Sequence, residues 1–436
     1  MPHPSRPALF ALLLTGLLTS FALFGLARVP FHPDEATQLY TSQDFDLLWR
    51  TPLSLAWAPP EAPDHRQKLR LLDAPLTRYW LGLWRSLAGQ PANLADWDWS
   101  ASWQANQAAG ALPSPSLLFA GRLAALALYP VSLVLIFSIG RSLAGPTAGL
   151  LALLLLGLNS LALLHARRAM AEAALLTSVL FALWSFLHTG HRPWLAGLGL
   201  AAAFNAKQTA ILLLPVAMLA ALWHTPSEAS PARRPALTAS LALAQCLGVF
   251  ILLTLALNPV FWRAPLMAGR QALLARQALA AAQQTDTQRL APEHALVSQS
   301  QRAAALLANL YFAPPAFAEW GNYRAETAAA EAAYLAIPGH SLLRGLAGGA
   351  LQFILALCGA LFALLRLRHA GPAQRRALIL ALLATLCLAL GHLLWIPLDW
   401  QRYVIPLVPL SCLWQAYALS LPMDAALRRM PGAARV

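Results

Sequence analysis

The chain is expected to be an all-α polytopic membrane protein of about ten transmembrane helices, with two long external loops that bear juxtamembrane helices. Three observations carry that expectation. Of 436 residues, 58% are hydrophobic and only 11% are charged, and a mean hydropathy of +0.54 leaves too little polar surface to clothe a soluble core. Apolar runs of roughly the 20 residues that a bilayer-crossing helix needs recur along the chain. Arginines collect in the short connections between those runs.

The apolar runs fall near 8–28, 118–140, 147–164, 170–187, 194–205, 208–223, 237–257, 344–365, 377–396 and 403–421. The first is read as an uncleaved helix and not a signal peptide, because it is long and lacks a clear small-x-small cleavage site. The fifth is too short to cross alone and ends at Asn205-Ala206-Lys207-Gln208, which predicts a partial or tilted helix meeting its successor near one face. Arg141, Arg192, Arg233, Arg234, Arg366, Arg368, Arg375, Arg376, Arg428 and Arg429 all fall on one side, which the positive-inside rule assigns to the cytoplasm. Both termini are then inside. The net charge of +13 follows from this topology and does not point to nucleic acid. Cys246, Cys358, Cys387 and Cys412 lie in apolar runs and read as small core residues without disulfide or metal spacing.

The other face receives two long excursions, 29–117 and 258–343, inserted into one membrane domain over 1–436. The first holds half of the 18 acidic residues. Its stretch from Leu71 to Arg85 is amphipathic and is expected to lie along the membrane surface. Asp96-Trp97-Asp98-Trp99 with Trp103 reads either as interfacial anchoring or as a sugar-stacking platform. The second excursion carries Ala-, Gln- and Arg-rich helical sequence over 266–310, then Tyr311-Phe-Ala-Pro-Pro315 and Glu319-Trp320, and offers no motif.

Ionisable groups at helix ends are costly in a membrane, so their shared face is informative. Asp34 with Glu35, Arg122, Arg167 with Arg168, Glu172, Lys207, Arg263 and the run Asp399-Trp400-Gln401-Arg402-Tyr403 all fall at external ends, where they are expected to line one cavity. Asp34 and Glu35 either cap the turn after Pro33 and pair with an arginine, or supply a carboxylate that takes a proton from an attacking hydroxyl. Lys207 is one of two lysines, with Lys68; it reads as a phosphate ligand, as a partner of Glu172 or as a snorkelling cation. His32 is expected on the surface and His392 in the core, with no spacing that argues for a metal.

The ordered set Pro33-Asp-Glu35, Pro75-Leu76, Gly121-Arg122-Leu123, Gly145-Pro-Thr-Ala-Gly149, Ala166-Arg-Arg-Ala-Met170-Ala-Glu172, Gly197 to Lys207 and Arg402 to Pro409 resembles the GT-C glycosyltransferases of the protein O-mannosyltransferase and aminoarabinose transferase superfamily. The resemblance covers nearly the whole chain except the second external loop and the tail. It implies a GT-C-like fold and transfer of a sugar from a polyprenyl-phosphate donor to a hydroxyl of a glycan, lipid or protein acceptor, with inversion, at the periplasmic face of the inner membrane. It implies Asp34 as base with Glu35 beside it, and Lys207 and Arg402 on the phosphate. Tyr403, Arg78, Arg122, Arg168 and Glu172 are further substrate-binding candidates, and neither cofactor nor metal is called for. The chain departs from the aminoarabinose transferases in reading Asp73-Ala74-Pro75-Leu76 where they carry Lys-Pro-Pro-Leu. A transporter or lipid-handling protein is the alternative, although no repeated halves are visible.

Overall fold

The computed structural model describes residues 6–59, 65–223, 235–318, 321, 323–396 and 398–429. Arg233, Arg234, Glu319 and Trp320 lie outside the described residues, as do the side chains of Arg428 and Arg429. The first apolar helix, α1 (Arg6–Phe24), is followed by five short helices, α2 (Pro33–Thr41), α3 (Asp44–Arg50), α4 (His65–Leu72), α5 (Pro75–Leu87) and α6 (Trp103–Ala108). The bundle resumes as α7 (Pro115–Ala127), α8 (Tyr129–Ala144), α9 (Pro146–Gly157), α10 (Ser160–Ala166), α11 (Ala171–Leu187) and α12 (Trp194–Ala206). A 3-10 stretch, Gln208–Leu213, leads into α13 (Leu214–Leu222), and α14 (Pro235–Leu257) follows. The second excursion folds as α15 (Pro265–Leu290), α16 (Gln299–Leu307) and α17 (Arg324–Leu335). Then come α18 (Gly345–Arg366), α19 (Pro372–Trp395) and, behind the 3-10 segment Gln401–Leu407, α20 (Val408–Arg429).

Proline marks many of these starts: α2, α5, α7, α9, α15 and α19 all begin on one. The first N–H of a helix has no intrahelical acceptor, so proline loses nothing there and its fixed φ is already helical. All ten apolar runs are helical. Among the described residues, six helical stretches are long and apolar enough to cross a membrane: Arg6–Arg28, Pro115–Ala144, Ala236–Leu257, Gly345–Arg366, Pro372–Trp395 and Gln401–Met423. A seventh candidate is the pair α9 and α10, bent by 64°. The bend falls at Leu158-Asn159, where the Asn159 side chain accepts from Leu161 N and Ala162 N, both at 3.1 Å, and restarts the helix. The sequence marks only the fifth run as short. The structure extends this to three, since Ala171–Leu187, Trp194–Ala206 and Gln208–Leu222 all fall below span length.

The two ends of the bundle differ chemically. At one, Gln374 Nε2 donates to Leu143 O at 2.9 Å and Arg376 Nη2 to Phe186 O and Ala220 O at 3.2 and 3.3 Å, closing the carboxyl ends of α8, α11 and α13 beside Arg141 and Arg375. At the other end lie α2, Lys207 and the 3-10 segment before α20. Small residues let the helices between them approach closely, as membrane helix packing requires. Gly359 of α18 is the tightest case, because a Cβ there would sit 1.8 Å from the carbonyl oxygen of Trp414 in α20. Gly359→Ala should therefore force the α18–α20 contact apart and lower the apparent unfolding temperature of the detergent-solubilised chain, with a cost of about 1–3 kcal/mol for such overpacking. Gly16→Ala, with nothing within 4 Å of the added Cβ, should leave it unchanged or slightly raised.

Candidate functional site

The acidic pair after α1 is split by helix geometry. Pro33 is the first residue of α2, so Asp34 and Glu35 occupy its first turn, and neighbours on a helix point about 100° apart. His32 caps the turn: its Nδ1 accepts from Asp34 N at 3.1 Å, and Glu35 Oε2 accepts from His32 N at 3.1 Å. His32 is 1% exposed and packs edge-on to Tyr323. It is thus a buried cap and not the surface histidine the sequence predicts.

Glu35 points inward. It is fully buried and receives both arms of Arg122 from α7, Nε to Oε1 at 2.9 Å and Nη2 to Oε2 at 2.8 Å. Ala169 N donates to Oε1 at 3.0 Å. Burial on its own raises a carboxyl pKa, but Arg122 and Arg168 with these hydrogen bonds outweigh it and hold Glu35 below the usual carboxylate range. Arg122 also donates to Val29 O at 2.8 Å, and the buried Arg168 donates to Pro30 O and Phe317 O at 3.3 and 3.0 Å. The structure thus places Glu35, expected in catalysis, and Arg122 and Arg168, expected on the substrate, in contact with protein partners and not among the residues that line the cavity. All three lie behind the cavity wall, tying the first excursion to the bundle.

Asp34 points the other way, into a cavity of about 870 Å³ whose walls also include Glu172, Lys207, Arg402 and Tyr403. It pairs with Arg402 Nη1. The break after α12 leaves Lys207 in extended backbone, φ −158°, and its Nζ donates to Glu172 Oε1 at 2.7 Å. The Lys207 ammonium also lies 5.7 Å from the centre of the Tyr403 ring, and the Arg402 guanidinium 4.5 Å from that of Trp400. Trp400 stacks on Tyr403 at 5.5 Å, which fixes the aromatic floor under both cations. Beside them opens a small apolar cleft lined by Leu212, Leu388, His392 and Leu407 together with Lys207, Arg402 and Tyr403.

Other expected contributors are placed elsewhere. Arg78 is 3% exposed and donates to Asp44 Oδ2 at 3.0 Å and to Asp73 O at 2.5 Å. The guanidinium expected on the substrate is thus engaged by Asp44, which Arg70 also grips. Arg263 is exposed outside the cavity. Asp399 Oδ1 accepts from Asn309 of the second excursion at 2.5 Å. Of two further wall residues, Arg276 carries no sequence signal and Asp73 belongs to the departure from Lys-Pro-Pro-Leu. Arg276 of α15 reaches Leu72 O and enters the wall, and Asp73 lines it too, its carboxyl pushed up by burial against the pull of Arg78 and Arg276. Both Trp97 and Trp99 line the cavity, Trp97 as a buried member of an aromatic cluster and Trp99 with its ring half exposed.

Residues 114–255 match the family described as dolichyl-phosphate-mannose-protein mannosyltransferase, the stretch that carries Arg122, Arg168, Glu172 and Lys207. Comparison with curated proteins returned no match. Among solved structures, the archaeal oligosaccharyltransferase AglB from Archaeoglobus fulgidus, in complex with an inhibitory peptide and a dolichol-phosphate, aligns over 98% of this chain and 52% of its own, at TM-score 0.51 and 13% identity. The apo form of the Archaeoglobus fulgidus enzyme gives 0.54 at 13% identity over the same shares, 98% and 52%. This chain has the GT-C fold. It spans about half the length of the oligosaccharyltransferase chains it matches. A complex of the same archaeal enzyme holds zinc and sulfate, over 97% of this chain and 50% of that one at TM-score 0.52 and 13% identity. On this GT-C scaffold the donor set does not fit a metal: among the described residues no three His, Cys, Asp or Glu side chains converge, and Asp34 and Glu172 each face a cation instead.

The buried pair sets a stability test. Removing one partner strands a charge, which costs roughly 3–5 kcal/mol, so Glu35→Gln should lower the unfolding temperature markedly at neutral pH. Because the folded-state pKa of Glu35 is depressed, its contribution is present above the unfolded value near 4.3 and lost as pH falls through the folded value. Thermal unfolding of both forms between pH 3 and 8 should show the gap narrowing only below about pH 4; a gap constant across that range would contradict the assignment.

Proposed function

We propose that the chain is a membrane glycosyltransferase that moves a sugar from a polyprenyl-phosphate donor to an acceptor hydroxyl on the external, periplasmic side of the inner membrane, with inversion and Asp34 as base. The observation that carries this reading is the meeting of Asp34 with Arg402 inside a large cavity whose wall also holds Lys207. Support comes from the family matched over 114–255 and from the fold shared with a protein whose structure holds a dolichol-phosphate. The arginine-rich end of the bundle supports a cytoplasmic assignment for that end and for both termini.

In this mechanism the donor phosphate lies on Lys207 and Arg402, with Tyr403 beneath, and the first isoprene units follow the apolar cleft past Leu212 and Leu388. An anion arriving at Arg402 competes with Asp34 for the guanidinium and frees the carboxylate. The acceptor oxygen then attacks the anomeric carbon from the face opposite the phosphate. The new C–O bond forms as the bond to the phosphate oxygen breaks, the hydroxyl proton passes to Asp34, and the phosphate leaves as an anion held by the two cations. Glu172 keeps Lys207 in place before the donor arrives. No protein nucleophile takes part, so one displacement gives inversion.

Asp34→Asn should lower turnover of a polyprenyl-phosphate sugar by about 10²–10⁴-fold, the usual contribution of a positioned base, with thermal unfolding and membrane insertion unchanged. Product analysis by mass spectrometry on the purified full chain checks it, and near-normal turnover would sink the mechanism. Lys207→Ala should act mainly on the donor KM, raising it about tenfold, equivalent to about 1.4 kcal/mol. Donor binding without consumption by the wild-type chain would favour the lipid-handling alternative. Comparing lipids, glycans and proteins in cells with and without the gene names the sugar and acceptor from the adduct that disappears.

A further inference from the structure

The wall formed by residues 94–100 is built for a different ligand group than the cationic part of the same cavity. Lys207, Arg402 and Arg276 present cations to the cavity, and Asp96, Asp98 and Trp99 line it as well. Trp99 leaves 43% of its surface exposed, yet it is not loose. Its ring is held edge-on by Tyr323 at 5.9 Å and by His32 at 6.5 Å, and a Cβ on Gly321 would already touch it at 3.1 Å. The backbone beneath is fixed as well. Asn106, 2% exposed, closes a reciprocal clamp on residue 98, with Asp98 N donating to its Oδ1 at 2.8 Å and its Nδ2 donating to Asp98 O at 2.9 Å. Asp96 accepts from Trp97 N at 2.9 Å and meets His65 Nε2 at 2.6 Å.

A pre-positioned indole flanked by carboxylates matches the two-sided chemistry of a pyranose, which shows C–H groups on its faces and hydroxyls around its rim. The electron-rich face of the indole attracts the C–H face, and the carboxylates, Asp96 holding Trp97 N and His65 and Asp98 holding Ser100 N and Oγ on its Oδ1, have about four lone-pair sites each with which to accept further donors. A membrane-anchoring role places a tryptophan on the outer surface, whereas Trp99 lines the cavity. Position also decides which sugar is concerned. Nδ1 of His32, whose ring abuts Trp99, lies 4.0 Å from Asp34 Oδ1, so a ring stacked on Trp99 stands beside the carboxylate that takes the acceptor proton.

We infer that this wall is the acceptor subsite and that the acceptor is a saccharide, its ring stacked on Trp99 and its hydroxyls on Asp96 and Asp98. The inference rests on the glycosyltransferase reading for the word acceptor, but saccharide binding is measured without donor. Saturation-transfer NMR on the detergent-solubilised full chain, with the methyl glycosides of glucose, galactose and mannose, should show transfer to ring C–H protons of at least one. Trp99→Ala and, independently, Asp96→Asn should weaken that affinity at least tenfold, while Trp99→Phe keeps most of it. Trp49→Ala, which removes a more exposed indole outside the cavity, should change nothing. Absence of signal from the wild-type chain, or unchanged affinity in both weakening variants, would overturn the inference. So would signals from a serine- and threonine-containing peptide that Trp99→Ala abolishes while the glycosides give none. Saccharide binding at Trp99 in a chain that consumes no polyprenyl-phosphate sugar would support the subsite and count against the donor reading alone.

Discussion

Glu35 and Arg122 meet inside the protein, out of reach of water, and the placement of the site follows from that contact. A carboxylate and a guanidinium are retained in such surroundings only when each satisfies the other and the remaining lone pairs and protons find partners. Here the pair is bidentate, and Ala169 N, His32 N and Val29 O complete it. It therefore fixes α2 against α7 and against the turn before α11, in rotation as well as in position. With the rotation of α2 settled, the residue before Glu35 has one direction left to face, and that direction is the cavity.

The two excursions act as one lining. Arg167 donates to Ala22 O and Phe21 O of α1 and to the Tyr334 hydroxyl of α17 at 2.7, 2.9 and 2.7 Å, and Arg168 bridges Pro30 and Phe317. Gln401 accepts from Ala316 N at 2.6 Å, joining the second excursion to the segment that delivers Arg402. The arginines that read as ligands from their place in the chain are consumed as fasteners, since a planar guanidinium with five donors suits several carbonyls at once. Lys207 and Arg402 stay at the cavity because their carboxylate partners also face it.

Breaks in helices do the positioning. α12 stops at Lys207, which stands in extended backbone before the 3-10 stretch that opens the next helix, and Arg402 and Tyr403 lie in the first turn of the 3-10 segment that leads into α20. Irregular backbone at membrane depth persists where it lines a polar cavity or is buried in protein, and both breaks meet that condition.

Hydropathy and the spacing of arginines were enough to read the ten apolar helices, the chemically distinct ends of the bundle and the end at which Asp34, Lys207 and Arg402 gather, because those features depend on transfer of local segments out of water. The ordered motifs pointed to the GT-C fold that the structural comparison bears out. Local sequence could say that adjacent carboxylates after a proline diverge, but not which turns inward; that was decided by Arg122, 87 positions away in the chain. The same holds for Arg78 and Arg168, whose buried partners come from other elements, and for Arg276, brought to the wall by a helix with no motif. Composition and periodicity thus determined where the polar end lies, whereas tertiary packing alone decided which charges there are buried in pairs and which face the cavity, because a buried charge is settled by its partner and the partner is set by the fold.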